Sequence, residues 1–142
     1  MSFLKNFSVL LLLPLAVACS DTPPEQAIRA HITAMQQAVK EKKSAAAVEH
    51  LAEHFTGSHG LDKQGLRRML IGLFVQHRTI NVAITRMDIT VNEYNPVSAK
   101  MEAVVLLTGA QGLLPQDGEI LNISGDWELL DGEWLLVNAR WE

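Results

Sequence analysis

Between Ile28 and His77 apolar residues recur every three or four positions, and from Ile80 onward they alternate with polar ones. The first rhythm predicts helices and the second strands, because side chains return to one face about every 3.6 residues in a helix and at every second residue in a strand. Ile28, Ile32, Met35 and Val39 form one helical stripe. The segment before them, Thr22-Pro23-Pro24-Glu25, offers a threonine cap, a proline suited to the first turn and the glutamate of a capping box. His31 falls at the edge of the stripe and is expected as a partly exposed flank residue. The run Lys40-Glu41-Lys42-Lys43 reads as a solvated helix end, where cations suit the dipole. A second, short helix is expected from Ser44, turning Val48, Leu51 and Ala52 inward before Phe55-Thr56-Gly57 leaves it. Asp62 is placed to cap a third, which runs to about His77 with Leu66, Met69, Leu70, Leu73 and Phe74 on one face. His77 lies near the middle of that face at the helix end, either as a buried, hydrogen-bonded side chain or as a polar group pointing into a cavity.

Ile80-Val82-Ile84 and Met87-Ile89-Val91 alternate in two phases, and the change of phase near Thr85-Arg86 predicts a bulge. Asn92 to Pro96 reads as a turn. Residues 97–107 read as a second strand, with Val97, Ala99, Met101, Ala103, Val105 and Leu107 on one side. Its second half is apolar on both sides, which places it centrally in a sheet. Residues 109–118 form a long loop that presents Leu113-Leu114. Strands at 119–129 and 133–141 flank Asp131-Gly132, the strongest short hairpin signal in the chain. A two-residue turn there sets Leu129 opposite Trp134, Trp127 opposite Leu136, Gly125 opposite Asn138 and Ile123 opposite Arg140. In that register Trp127, Trp134, Asn138 and Arg140 share one face. Ala139 and Trp141 then join Leu135 and Val137 on the other, a half-apolar surface expected to meet another chain or subunit.

The amino terminus changes the picture of where this domain works. Lys5 precedes a run at 7–18 that is apolar except for Ser8, too short to cross a bilayer core of about 30 Å, and so reads as a signal peptide. Leu15-Ala16-Val17-Ala18-Cys19 resembles the lipobox of bacterial lipoproteins, with Ala16 where leucine is usual. The resemblance implies cleavage before Cys19 and acylation of its thiol and new amino group. With Ser20 following, it also implies an outer-membrane lipoprotein that faces the periplasm. The alternative is an ordinary secretory signal cut after Ala18, leaving a free thiol. The expected organisation is a signal at 1–18, a lipidated tether at 19–24 and a single domain at 25–142. Removing 1–18 takes away one lysine and no acid, so the net charge of −4 becomes −5. That mild acidity argues against a nucleic-acid partner and leaves the lipid as the membrane contact. Cys19 is the sole cysteine, so no intrachain disulfide supports the core.

One catalytic motif stands out. His50-Leu51-Ala52-Glu53-His54 matches H-x-x-E-H, in which two histidines on one helix face hold zinc and the glutamate acts as base. On the expected helix both histidines lie opposite Val48, Leu51 and Ala52 and face water. No metal site is therefore assigned, and His59 adds at most an adventitious ligand.

The order of three helices and four long strands, ending in Asp131-Gly132-Glu133-Trp134-Leu135-Leu136-Val137, resembles the nuclear transport factor 2-like superfamily, also called SnoaL-like or ketosteroid-isomerase-like. Ile28 to Val39, Ala45 to Phe55, Leu66 to Phe74 and above all Trp127 to Trp141 carry the resemblance. It implies an α+β, cone-shaped fold with three N-terminal helices packed on a curved, mainly antiparallel four-stranded sheet, often dimerised through that sheet. Isomerases, dehydratases and non-catalytic binding modules share such a cone. The isomerase constellation does not carry over: Tyr94 lies in the expected turn, Asp126 is on the face opposite Trp127, and Asp88 points inward only if the bulge sets it so. The candidate pocket is Trp127, Trp134, Asn138, Arg140 and His77, largely apolar with a few polar groups, although a plain core is the reading both tryptophans suit better, with Arg140 paired to a helix carboxylate. The leading expectation is a lipid-anchored envelope protein whose cone binds a small apolar ligand or a protein segment without catalysis or cofactor. The first alternative is an isomerase or dehydratase with His77 or Asp88 as base and Arg140 as electrostatic stabiliser. The second is a structural partner acting through the outer sheet face, as in a homodimer.

Overall fold

A computed structural model of the chain describes residues 22–109 and 118–142. The signal segment, Cys19, the start of the tether and Leu113-Leu114 lie outside the described residues. The elements run α1 (Pro24–Lys40), α2 (Ser44–Ala47), β1 (Leu51–Gly57), a single 3-10 turn (Ser58–Gly60), α3 (Lys63–Gln76), β2 (Ile80–Val91), β3 (Ser98–Gly109), β4 (Glu119–Leu130) and β5 (Glu133–Trp141). The sheet has five strands in the order β1-β5-β4-β3-β2, with only β1 parallel to its neighbour. Among the described residues no helix is long and apolar enough to cross a membrane.

The helical stripe of α1 packs as its spacing predicts. Ile28 is fully buried, Ile32 and Met35 lie against the same core, and Val39 covers a second cluster of Val82, Ala103 and Val105. Polar tethers fix the helix over β2, where Gln36 Nε2 donates to the Val82 carbonyl at 2.7 Å and Arg29 to the Met87 carbonyl at 3.3 Å. The expected capping box is not formed: Pro23 is the N-cap, without a side-chain bond, and Glu25 pairs with Arg29 one turn on, at 3.0 Å. The basic run after α1 is not merely solvated. Lys42 adopts a left-handed φ of 59° and donates from Nζ to the Phe74 carbonyl at 2.9 Å and to the His77 carbonyl, supplying a cation to the C-terminal end of α3. The opposite end of α3 is capped as expected, with the Asp62 carboxylate accepting from Gly65 N at 2.6 Å.

The principal correction is the second helix, which stops at Ala47. Residues 51–57 are instead the fifth strand, extending the sheet along the free side of β5, with Leu51 opposite Leu136 and Gly57 opposite Ala139. The spacing of Val48, Leu51 and Ala52 suits either element. What decides is an edge of β5 whose backbone groups need partners and an interior that takes Leu51 and Phe55 at 1% and 2% exposure.

Two bulges shape the long strands. The one anticipated near Arg86 is present, since Ile84 faces Val105 while Arg86 faces Val104, leaving Thr85 as the extra residue. A second lies in β5: Trp127 faces Leu136, but Asp126 faces Asn138, so Val137 is extra. The hairpin turn itself is as expected, with Asp131 and Gly132 both at positive φ. Beyond Val137 the expected pairs are therefore replaced by Gly125 with Ala139, Ser124 with Arg140 and Ile123 with Trp141. A one-residue shift exchanges the faces. Ala139 is buried and Trp141 packs against the core, whereas Arg140 is exposed.

Candidate functional site

The structure does not bring the five sequence-predicted pocket residues together. Trp127 and Trp134, at 1% and 6% exposure, lie on the inner face, where they fill the space between sheet and helices with Ile28, Leu51 and Phe55. Burying each such side chain stabilises the domain by about 1.5–3 kcal/mol, so the interior reads as core. Asn138 and Arg140 are turned to the outer face by the Val137 bulge. His77 sits beyond the end of α3, half-buried, with its ring against Gly109, where a Cβ would come within 2.9 Å of Nδ1. Asp88 is on the outer face too and accepts from Arg86 Nε at 2.8 Å, while Tyr94 is almost fully exposed in the β2–β3 turn.

The outer face is built from cross-strand rows. Thr90, Lys100, Asp126 and Asn138 lie side by side across four strands, and Asp88, Glu102, Ser124 and Arg140 form the next row. Two open depressions follow these rows. One, of about 450 Å³, is lined by Thr90, Ser98, Lys100, Asp126, Glu128 and Val137, and the other, of about 320 Å³, by Glu102, Asn122, Ser124, Arg140, Trp141 and Glu142. Further along the sheet the face becomes apolar through Val104, Leu106 and Ile120, the last 64% exposed.

A separate polar cluster lies at the other end of the hairpin. His31 of α1 stacks on His50, which immediately precedes β1, with ring centroids 3.9 Å apart and planes 27° from parallel. The His31 ring also lies 6.4 Å from the Trp127 ring, centre to centre, with the planes 13° from parallel. The His50 backbone is held to β5 by Leu136 N, which donates to its carbonyl at 2.9 Å. Its Nδ1 is 3.7 Å from Glu133 Oε1, close enough for an ion pair but too long for a hydrogen bond, and it is buried without a hydrogen-bond partner among the described residues. Burial, reinforced by His50, lowers the His31 pKa, against the opposing pull of Glu133 and Glu49. The neutral imidazole is thereby favoured. Sequence reasoning placed His50 in a motif with His54, but β1 is a strand and His54 points to solvent. The partners that do converge on His50 are distant along the chain, and no spacing signals them.

No family model matches the chain, and no curated protein is significantly similar in sequence. Solved structures are similar in three dimensions. A nuclear transport factor 2-like protein of unknown function from Pseudomonas putida superposes with a TM-score of 0.69 at 11% identity, covering 81% of this chain and 82% of the other. The chain has the nuclear transport factor 2-like fold. A candidate dehydratase of that family from Streptomyces avermitilis superposes with a TM-score of 0.66 at 12% identity, over 81% of this chain and 91% of the other. A candidate scytalone dehydratase from Novosphingobium aromaticivorans gives 0.63 at 12% identity, over 83% and 82%. At these identities the likeness concerns architecture, and within this fold the activity rests with individual side chains.

Proposed function

We propose that this nuclear transport factor 2-like domain is a non-catalytic association module, held at the bacterial envelope by acylation of Cys19, that pairs with a second copy of itself through its outer sheet face. The observation that carries this reading is the division of the sheet. Trp127, Phe55, Ile28 and Leu51, each at most 2% exposed, occupy the inner side, while the polar residues that would have lined a pocket, Asn138 and Arg140, lie outside beside two open grooves. The outer face interleaves Lys100 and Arg140 with Asp88, Glu102, Asp126 and Glu128 and continues into Val104, Leu106 and Ile120. Mixed charge beside an apolar strip suits a two-fold interface, in which each basic residue meets an acidic one of the other copy. The lipid anchor rests on Leu15 to Cys19 of the sequence.

The dehydratase reading raised by two of the structural neighbours has less support on this chain. Asp88 is paired with Arg86 on the outer face and His77 lies at the end of α3, so the expected base and the stabilising Arg140 do not converge on one substrate position. Native mass spectrometry of protein extracted from membranes tests the proposal. The expected spectrum shows acyl mass on Cys19 and two chains per particle. A bare thiol at Cys19 contradicts the anchor, and a single chain per particle contradicts the pairing.

A further inference from the structure

We propose that His31, His50 and Glu133 form a binding site for a divalent transition-metal ion of the zinc type. Each residue offers one ligand atom, and the three atoms all lie within 4.8 Å of one another. The donor set of two imidazoles and one carboxylate is one that zinc and its neighbours in the first transition row accept, with water completing a four-coordinate shell. At zinc–ligand bonds of about 2.0–2.1 Å, tetrahedral ligand atoms stand about 3.3 Å apart. The cluster has to contract by only about 1.5 Å at most, and the Glu133 side chain, 55% exposed and 3.7 Å from His50 Nδ1, is free to turn toward an ion held there.

A further observation points to a ligand at this spot. His50 Nδ1 is buried with no hydrogen-bond partner among the described residues, and it lies 3.7 Å from Glu133 Oε1. A buried polar atom without a partner costs about 1–3 kcal/mol, and one that belongs to a metal-ligating side chain beside a carboxylate needs an explanation. A cation bound at His50 Nδ1 supplies it directly. The backbone positions are also fixed beforehand. His31 is carried on a seventeen-residue helix, His50 is pinned to β5 through Leu136 N, and Glu133 follows the tight Asp131-Gly132 turn. A site supported by three secondary-structure elements loses little conformational entropy on binding. His31, His50 and Glu133 line neither outer-face groove.

The experiment is an isothermal titration of the purified full chain, freed of metal with EDTA, with Zn²⁺ near neutral pH. One ion per chain with micromolar or tighter affinity is the expected result. Loss of even an outer-shell partner weakens metal sites by about 10–100-fold, so His50→Ala is expected to weaken binding by about 100-fold or more and Glu133→Gln by at least about 10-fold. Glu133→Gln changes an exposed side chain and leaves the fold intact, which keeps the test valid if His50→Ala fails to fold. Co²⁺ in place of Zn²⁺ is expected to show the visible bands of a tetrahedral complex, lost in the same two variants. His54→Ala, altering an exposed residue of β1, leaves both readouts unchanged. Absence of binding, binding that survives Glu133→Gln at full strength, or binding lost on His54→Ala each overturns the proposal.

Discussion

Burial first and the neighbouring His50 second hold the His31 imidazole below its ordinary pKa, while Glu133 and Glu49 pull the other way. In the metal-free chain the folded state therefore binds this proton less readily than the unfolded state does. The linkage follows directly: the unfolded chain takes up more protons in the window between the two pKa values, so stability rises with pH across it. The contribution of His31 is complete above the unfolded value of about 6.5 and is lost as the pH falls from there through the lower folded value. Nuclear magnetic resonance titration of the His31 ring in EDTA should give a midpoint below that of an unfolded peptide. Urea midpoints should decline over the same interval, and a His31→Gln variant should show a shallower decline. A His31 midpoint at or above the peptide value would contradict the buried, stacked environment described for it.

At the scale of elements, β1 has the most specific packing requirement. A Cβ on Gly57 would lie 2.7 Å from one atom of the Trp141 ring, 3.0 Å from another and 3.2 Å from Phe55. The glycine is there because the terminal tryptophan of β5 crosses the backbone of β1 at contact distance. Gly57→Ala is expected to cost about 1–3 kcal/mol in urea denaturation, with a change in tryptophan emission as Trp141 is displaced. An unaltered midpoint would mean that Trp141 does not pack on β1.

Elements whose signals are local were legible in the sequence. The stripe of α1, the Asp62 cap of α3, the bulge at Thr85 and the Asp131-Gly132 turn all appear where the residue pattern puts them. β1 and the Val137 bulge were not legible, because both depend on a partner far along the chain. Leu51 and Ala52 fit a helical face as well as a strand until the edge of β5 is present, and nothing around Val137 marks the extra residue. That one residue moved Asn138 and Arg140 from the expected pocket to the opposite surface. The His31, His50 and Glu133 cluster was hidden for the same reason: its members come from α1, the start of β1 and the start of β5, and the local H-x-x-E-H pattern drew attention to His54 instead.

At the scale of the whole molecule, the register gives the described residues an inner sheet face lined by buried apolar side chains and a charged, grooved outer face. Trp127, Trp134, Phe55 and Leu51 occupy the inner side of the sheet, and the polar groups gather on the outer face and in the histidine cluster. Sedimentation velocity of wild type beside Arg140→Glu, both purified without the lipid anchor as Cys19→Ser proteins, tests the association surface most directly. The account predicts that the wild type sediments as a dimer and the charge-reversed variant as a folded monomer, since reversal sets Arg140's position against acidic residues such as Glu102 and Asp126 across the two-fold. A wild type that remains monomeric over the accessible concentration range, or an Arg140→Glu variant that dimerises as strongly as the wild type, would contradict it.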